Sequence, residues 1–213
     1  MLVSVTFTKT KYSTPETLAR IDKTSADYLH IDLMDGKFVP PKQQLIPDLN
    51  KWLPNVKKPL DVHIMANDVL KYLAYFAEQN TACFTFHYEA VTEIDAMIKA
   101  VKETGLKVGL AISPKSSPEL LAPYLKDLDQ ILVMSCEPGY GGTSFQESAL
   151  NKIRYLKEQR AAQDYNYLIS VDGGINAETI ALVKEAGSDM VASGSYICMS
   201  AHYEEQINLI KNS

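Results

Sequence analysis

The sequence predicts a single (β/α)8 (TIM) barrel of the α/β class, and three observations predict it. Eight short apolar or β-branched runs are spread along the 213 residues, and stretches of helical period follow nearly all of them. No Pro/Gly/Ser-rich linker, charge block or low-complexity stretch divides the chain, so one domain over residues 1–213 is expected. Eight such units in a chain a little shorter than the usual ~250 residues favour a closed barrel over an open doubly wound sheet.

The expected strands are Leu2–Thr8, Tyr28–Leu33, Leu60–Ile64, Cys83–Phe86, Lys107–Ile112, Gln130–Met134, Leu168–Val171 and Met190–Ala192. Thr14–Lys23 reads as the first helix, because Ser13 or Thr14 offers a capping hydroxyl and Pro15 fits the first turn. Apolar residues three or four apart mark Val69–Glu78, Glu93–Glu103, Phe145–Arg160, Ala177–Ala186 and Ala201–Lys211 as further helices. Two units are irregular. Pro40–Pro54 is interrupted by prolines and reads as an extended loop with a short helix, and Ser116–Leu125 as a short helix broken at Pro123.

With 46% hydrophobic and 22% charged residues, the chain can bury a sizeable core. Its net charge of −5 is spread, with Lys and Arg scattered among acids, so no nucleic-acid partner is expected. One small anion stays compatible with that charge, since a few backbone N–H groups can hold a phosphate. Cys83, Cys136 and Cys198 are odd in number and far apart, which points to a reducing compartment. Residues 1–8 lack a basic stretch followed by a long apolar core, and no later run approaches membrane-spanning length. A cytoplasmic protein without a membrane partner is the expectation.

In such barrels chemistry sits at the C-terminal ends of the strands. Three of those ends are exceptional: His30-Ile31-Asp32-Leu33-Met34-Asp35-Gly36, Asp61-Val62-His63-Ile64-Met65 and Ser170-Val171-Asp172-Gly173-Gly174. Strand alternation sets His30 and Asp32 on one face and Leu33 on the other. His30, Asp32, His63 and Asp172 then converge on the barrel mouth as two imidazoles and two carboxylates. That donor set suits one divalent cation, with Zn2+ or Fe2+ leading and Mn2+ or Co2+ as alternatives. Taken singly, each residue reads better as a core histidine or a capping Asp than as a ligand. Together they would bury two carboxylates side by side, and a cation removes the resulting conflict.

These segments resemble the ribulose-phosphate 3-epimerase family. His30-Ile31-Asp32-Leu33-Met34-Asp35-Gly36, with Phe38-Val39-Pro40 after it, is similar to the family's H-x-D-x-M-D-G-x-F-V-P, and Asp61–Met65 to its D-V-H-x-M. Pro138-Gly139-Tyr140-Gly141-Gly142 resembles P-G-F-G-G, and Val171–Ile175 resembles V-D-G-G-I. The match keeps its order from about Tyr28 to Ser195.

The resemblance implies that His30, Asp32, His63 and Asp172 ligate the metal and that Asp32 and Asp172 also serve as the acid/base pair. It implies an isomerase of carbohydrate metabolism, in the pentose phosphate pathway, and a homo-oligomer. Inverting a carbon beside a carbonyl needs one group to remove a proton from one face and another to return it on the opposite face. Met34, Met65 and Met134 recur at strand ends and read as core on sequence alone, whereas the resemblance makes them liners of the reacting centre. Glycines after the last three strands (Gly139, Gly141 and Gly142; Gly173 and Gly174; Gly194 with Ser195) read as a phosphate grip. His87, in a His-x-Glu-Ala segment that the family often carries, reads equally as a support for the ligands or as a structural residue. His202 reads as a solvated residue of the last helix.

The resemblance weakens in two places. The family's S-I-L-S-A-D, with a serine that contacts substrate, is replaced by Val5-Thr6-Phe7-Thr8-Lys9-Thr10, where Thr8 is the expected hydroxyl. The family's N-x-T-x-G is replaced by Pro41-Lys42-Gln43-Gln44. The expected partner is a small phosphorylated ketose. The expected reaction is D-ribulose 5-phosphate to D-xylulose 5-phosphate through an enediolate. The alternatives are epimerisation of allulose 6-phosphate, a sugar-phosphate-binding homologue without turnover, and a metal-dependent hydrolase.

Overall fold

Each apolar run pairs in parallel with the run that follows it, and the last pairs back onto the first, so the sheet closes. A computed structural model describes residues 1–40, 42–141 and 144–213, without the side chain of Lys42. The barrel strands are β1 (Leu2–Thr6), β2 (Tyr28–Asp35), β3 (Leu60–Met65), β4 (Thr81–His87), β5 (Lys107–Ile112), β6 (Gln130–Met134), β7 (Leu168–Asp172) and β8 (Met190–Ser193). Closure is made by β1, which pairs with β2 at Thr6↔His30 and with β8 at Val5↔Ser193.

The helices are α1 (Thr14–Asp22), α2 (Ile46–Trp52), α3 (Val69–Ala77), α4 (Ile94–Glu103), α5 (Ser148–Ala162), α6 (Thr179–Ala186), α7 (Ser195–Cys198) and α8 (Tyr203–Asn212). In α1, Pro15 occupies the first turn and Glu16 pairs with Arg20 one turn later at 3.0 Å, the spacing that helix geometry favours. Among the described residues, no helix is long and apolar enough to cross a membrane.

The period of two along each strand sorts residues into two cores. Outward-facing Val5, Ile31, Leu33, Val62, Ile64 and Phe84 join Leu18, Ile21, Leu49 and Phe76 of the helices in one continuous apolar layer. Each such fully buried side chain stabilises the fold by about 1.5–3 kcal/mol relative to exposure. Inside the barrel the buried residues are largely polar: Ser4, His30, Asp32, Asp61, His63, Thr85, His87, Gln130 and Ser170. Buried polar groups need partners. His30 Nδ1 lies 2.7 Å from Asp61 Oδ2, and Gln130 Nε2 donates to Asp61 Oδ1 at 3.1 Å, which braces the floor beneath the strand ends.

Several boundaries differ from the sequence expectation. β1 stops at Thr6, because the chain bends at Thr8 and Lys9. α5 starts at Ser148 and runs to Ala162, where Phe145–Arg160 was expected. The unit after β5 is two 3-10 turns, Pro118–Leu121 and Leu125–Asp127, on either side of the expected break at Pro123. Lys42–Gln43 adds a two-residue antiparallel strand to the end of β2, with Met34↔Gln43 and Asp35↔Lys42 in register. His202 precedes α8 instead of lying within it, and is exposed as expected.

Candidate active site

The C-terminal ends of the strands surround a cavity of 350 Å³. Its walls include Asp32, Met34, Met65, Met134, Asp172 and the glycines after β6, β7 and β8. At its floor, one ligand-type atom from each of His30, Asp32, His63 and Asp172 lies within 4.8 Å of all the others. The pairing register makes this happen: β2 and β3 align Asp32 with His63, and β6 and β7 align Met134 with Asp172.

The donor atoms are arranged around a common centre. Asp32 Oδ1 lies 3.2 Å from His30 Nε2 and 3.1 Å from His63 Nδ1, and His63 Nδ1 lies 3.8 Å from Asp172 Oδ2. A tetrahedral shell with ligand bonds near 2.1 Å has ligand–ligand separations of roughly 3.4 Å. His30 Nε2 is fully buried and makes no hydrogen bond among the described residues, although its other ring nitrogen is taken by Asp61. A buried imidazole nitrogen 3.2 Å from the Asp32 carboxylate and making no hydrogen bond is a poor structural solution and a good metal ligand. The residues present therefore fit one divalent cation.

Without a cation the four side chains hold different charge states. Burial opposes ionisation of Asp32, but the His30 imidazole holds its carboxyl well below the usual carboxylate range. Burial likewise opposes charge on His30, yet Asp32 and Asp61 keep its proton well above the ordinary imidazole range. Burial lowers His63 to about 4, so its ring is neutral. Burial, with the charge on Asp32, pushes Asp172 up to about 7.

Around the floor, Met34 and Met65 pack with Val39 and Phe38, and Met134 packs with Ala111, Leu132 and Cys136. The far wall is backbone. Gly173 and Gly174 have φ of +116° and +61°, and a Cβ on Gly173 would lie 2.6 Å from Cys136 Sγ. Only glycine takes that turn without strain. Gly139, Gly141, Gly194 and Ser195 also line the cavity, while Gly142 lies outside the described residues.

A model of the ribulose-phosphate 3 epimerase family matches residues 2–198. The chain belongs to this family. Among its relatives, the ribulose-phosphate 3-epimerase of Bacillus subtilis is 35% identical over 196 residues, covering 91% of this chain and 89% of that one. The Escherichia coli K12 protein of the same name is 32% identical over 213 residues, covering 99% and 92%. Solved structures at 17% and 18% identity share the fold. N-(5'-phosphoribosyl)anthranilate isomerase from Pyrococcus furiosus has a TM-score of 0.67 at 17% identity, covering 100% of both chains. A 3-hexulose-6-phosphate synthase from Salmonella typhimurium has a TM-score of 0.68 at 18% identity, covering 100% of this chain and 97% of that one.

As a member of the ribulose-phosphate 3-epimerase family, the chain is an isomerase-class enzyme, a sugar-phosphate epimerase. The cavity also shows what sequence reasoning missed. The strand-one hydroxyl that reaches the cluster is Thr6, whose Oγ1 donates to Asp32 Oδ2 at 2.6 Å, whereas Thr8 lines the cavity higher up. Spacing along the chain before His30 could not locate it, because the register Thr6↔His30 comes from strand pairing. Lys9 also lines the wall, the sole Lys or Arg to do so among the described residues. The two segments that depart from the family pattern meet there: Gln43 Nε2 donates to the Thr8 carbonyl at 3.1 Å.

Proposed function

We propose that this chain interconverts D-ribulose 5-phosphate and D-xylulose 5-phosphate by moving a proton off and onto C3. The observation that carries the reading is the pair Asp32 and Asp172, set on β2 and β7 beside one cavity and within the cluster of ligand-type side chains at its floor.

In this reading one aspartate takes the C3 proton from one face of the ketose, and the other delivers a proton to the opposite face of the planar enediolate. Thr6 holds the Asp32 carboxylate in orientation through its 2.6 Å hydrogen bond. Met34, Met65 and Met134 keep water from the planar intermediate, so that it is reprotonated by the enzyme in place of solvent. The backbone at Gly173, Gly174, Gly194 and Ser195 receives the phosphate, with close approach allowed by the missing side chains. His30, Asp32, His63 and Asp172 would hold a divalent cation, Zn2+ or Fe2+ ahead of Mn2+ or Co2+, which supplies electrostatic stabilisation of negative charge at the substrate oxygens.

A second reading, epimerisation of allulose 6-phosphate at C3, is favoured by one observation: the rim made by Thr8 and Gln43 departs from the family pattern. The remaining resemblance-based elements of the proposal are a homo-oligomer and a cytoplasmic setting. The latter is in keeping with three buried cysteines and no disulfide among the described residues. Coupled assays with both sugar phosphates, with cation restored, test the substrate. Exchange of the C3 proton with deuterated solvent tests the chemistry, and no exchange with either sugar would leave a binding protein.

A further inference from the structure

His87 and Glu89 are not part of the four-residue cluster, yet they continue it into the barrel wall. His63 Nε2 lies 2.8 Å from His87 Nε2, and His87 Nδ1 lies 3.1 Å from Glu89 Oε2. Glu89 Oε1 in turn accepts the Ser113 backbone N–H at 2.9 Å. The rings of His63 and His87 are 5.0 Å apart, and Phe38 packs at 5.0 Å on His87. Both imidazoles are fully buried.

We infer that His87 and Glu89 are positioning residues that select the tautomer of His63, leaving its Nδ1 as a bare lone pair facing the carboxylate cluster. The inference rests on reading that cluster as a cation site. A carboxylate only accepts, so the Glu89 oxygen accepts a hydrogen bond from an N–H on His87 Nδ1. A neutral imidazole carries one N–H, so His87 Nε2 is then an acceptor. Its neighbour at 2.8 Å, His63 Nε2, has to be the donor, because two lone pairs or two N–H groups at that distance repel. His63 Nδ1 is left without a proton, 3.1 Å from Asp32 Oδ1 and 3.8 Å from Asp172 Oδ2. Without a cation that lone pair faces Asp32 Oδ1 at 3.1 Å, a contact that favours the opposite tautomer, so the His87–Glu89 pair selects Nε2–H against it, and the same polarity makes His63 ready to bind a cation. Outer partners of ligating histidines commonly change cation affinity about tenfold to hundredfold.

The test uses the full chain, stripped of cations at pH 8 and labelled with 15N-histidine. The four histidines, His30, His63, His87 and His202, make a spectrum simple enough to assign by single substitutions. Long-range 15N–1H correlations are expected to show His63 protonated on Nε2 and His87 on Nδ1. A His63 protonated on Nδ1 overturns the inference, and that measurement needs no variant. Zinc titration against a chelator is then compared in the wild type, Glu89→Ala and Glu89→Gln. Affinity should fall about tenfold to hundredfold in Glu89→Ala and less in Glu89→Gln, which keeps an acceptor oxygen. The His63 signals of Glu89→Ala should shift toward a mixture of tautomers. Unchanged affinity and unchanged His63 signals in folded Glu89→Ala overturn the inference. If wild type binds no zinc, manganese or cobalt, the cation reading itself fails, an outcome separate from the tautomer assignment.

Discussion

Thr6 Oγ1 donates a 2.6 Å hydrogen bond to Asp32 Oδ2, joining the end of β1 to the carboxylate that also approaches both histidines of the cluster. Asp32 Oδ1 faces His30 and His63, so Thr6 holds the opposite oxygen and decides how the carboxylate plane is presented. A hydrogen bond to a charged group contributes about 1.5–3 kcal/mol. Thr6→Val should therefore lower kcat by about tenfold or more, and Thr6→Ser should retain most of it. C3 proton exchange in deuterated buffer measures this, and equal rates in Thr6→Val and wild type would remove Thr6 from the proposal.

Asp172→Asn separates chemistry from stability. Asp172 is proposed to give up or take the C3 proton, so its replacement should reduce turnover by about 10²–10⁴-fold.

In the cation-free protein the same change should stabilise the fold above pH 7. Burial and Asp32 push the folded-state pKa of Asp172 up to about 7, whereas an unfolded Asp titrates near ~3.9. Between those values the folded chain binds more protons than the unfolded one, so stability falls as pH rises and stays low beyond. Thermal unfolding of wild type and Asp172→Asn at pH 5 and pH 8, both stripped of cations, reads the difference. A variant with no advantage at pH 8 contradicts it.

Cation affinity should fall as pH drops below 7. Burial and Asp32 keep a proton on Asp172, and the Asp32 and Asp61 carboxylates outweigh burial to keep one on His30, so a cation entering the cluster has to displace protons. Calorimetric titration with zinc in buffers of different ionisation enthalpy should show proton release at pH 6.5. An affinity that does not change between pH 6 and pH 8 would refute the assignment of these side chains as ligands. Removal of the cation with a chelator should abolish turnover, and adding it back should restore activity.

Lys9 is the sole Lys or Arg among the described residues lining the cavity, and it follows Thr8, whose Oγ1 lies 3.8 Å from where a Gly141 Cβ would stand. It therefore lies near Gly141, one of the glycines whose spacing after the last strands reads as a phosphate grip. Lys9→Met should raise KM for the sugar phosphate about threefold to tenfold with little change in kcat, the loss of one exposed charge contact. The KM of the variant should also depend less on salt than that of the wild type. A changed kcat with an unchanged KM would assign Lys9 another role.

Much of this protein was legible before any coordinates. Strands at the expected places, helices of apolar period three or four, and the inward-facing His30, Asp32 and His63 all follow from local periodicity, which is a property of the chain alone. The motifs around these residues and Asp172 were enough to name the family and the candidate ligands. Tertiary structure decided what depends on register and angle. Pairing of β1 with β2 put Thr6 against Asp32, while Thr8 lines the cavity. The short strand Lys42–Gln43 brought the two divergent segments together at the rim. Packing of β3 on β4 turned His87 from an ambiguous strand-end residue into the partner of His63. Hydrogen bonds and proton affinities act over a few ångströms between residues tens of positions apart, and no sequence period carries that distance.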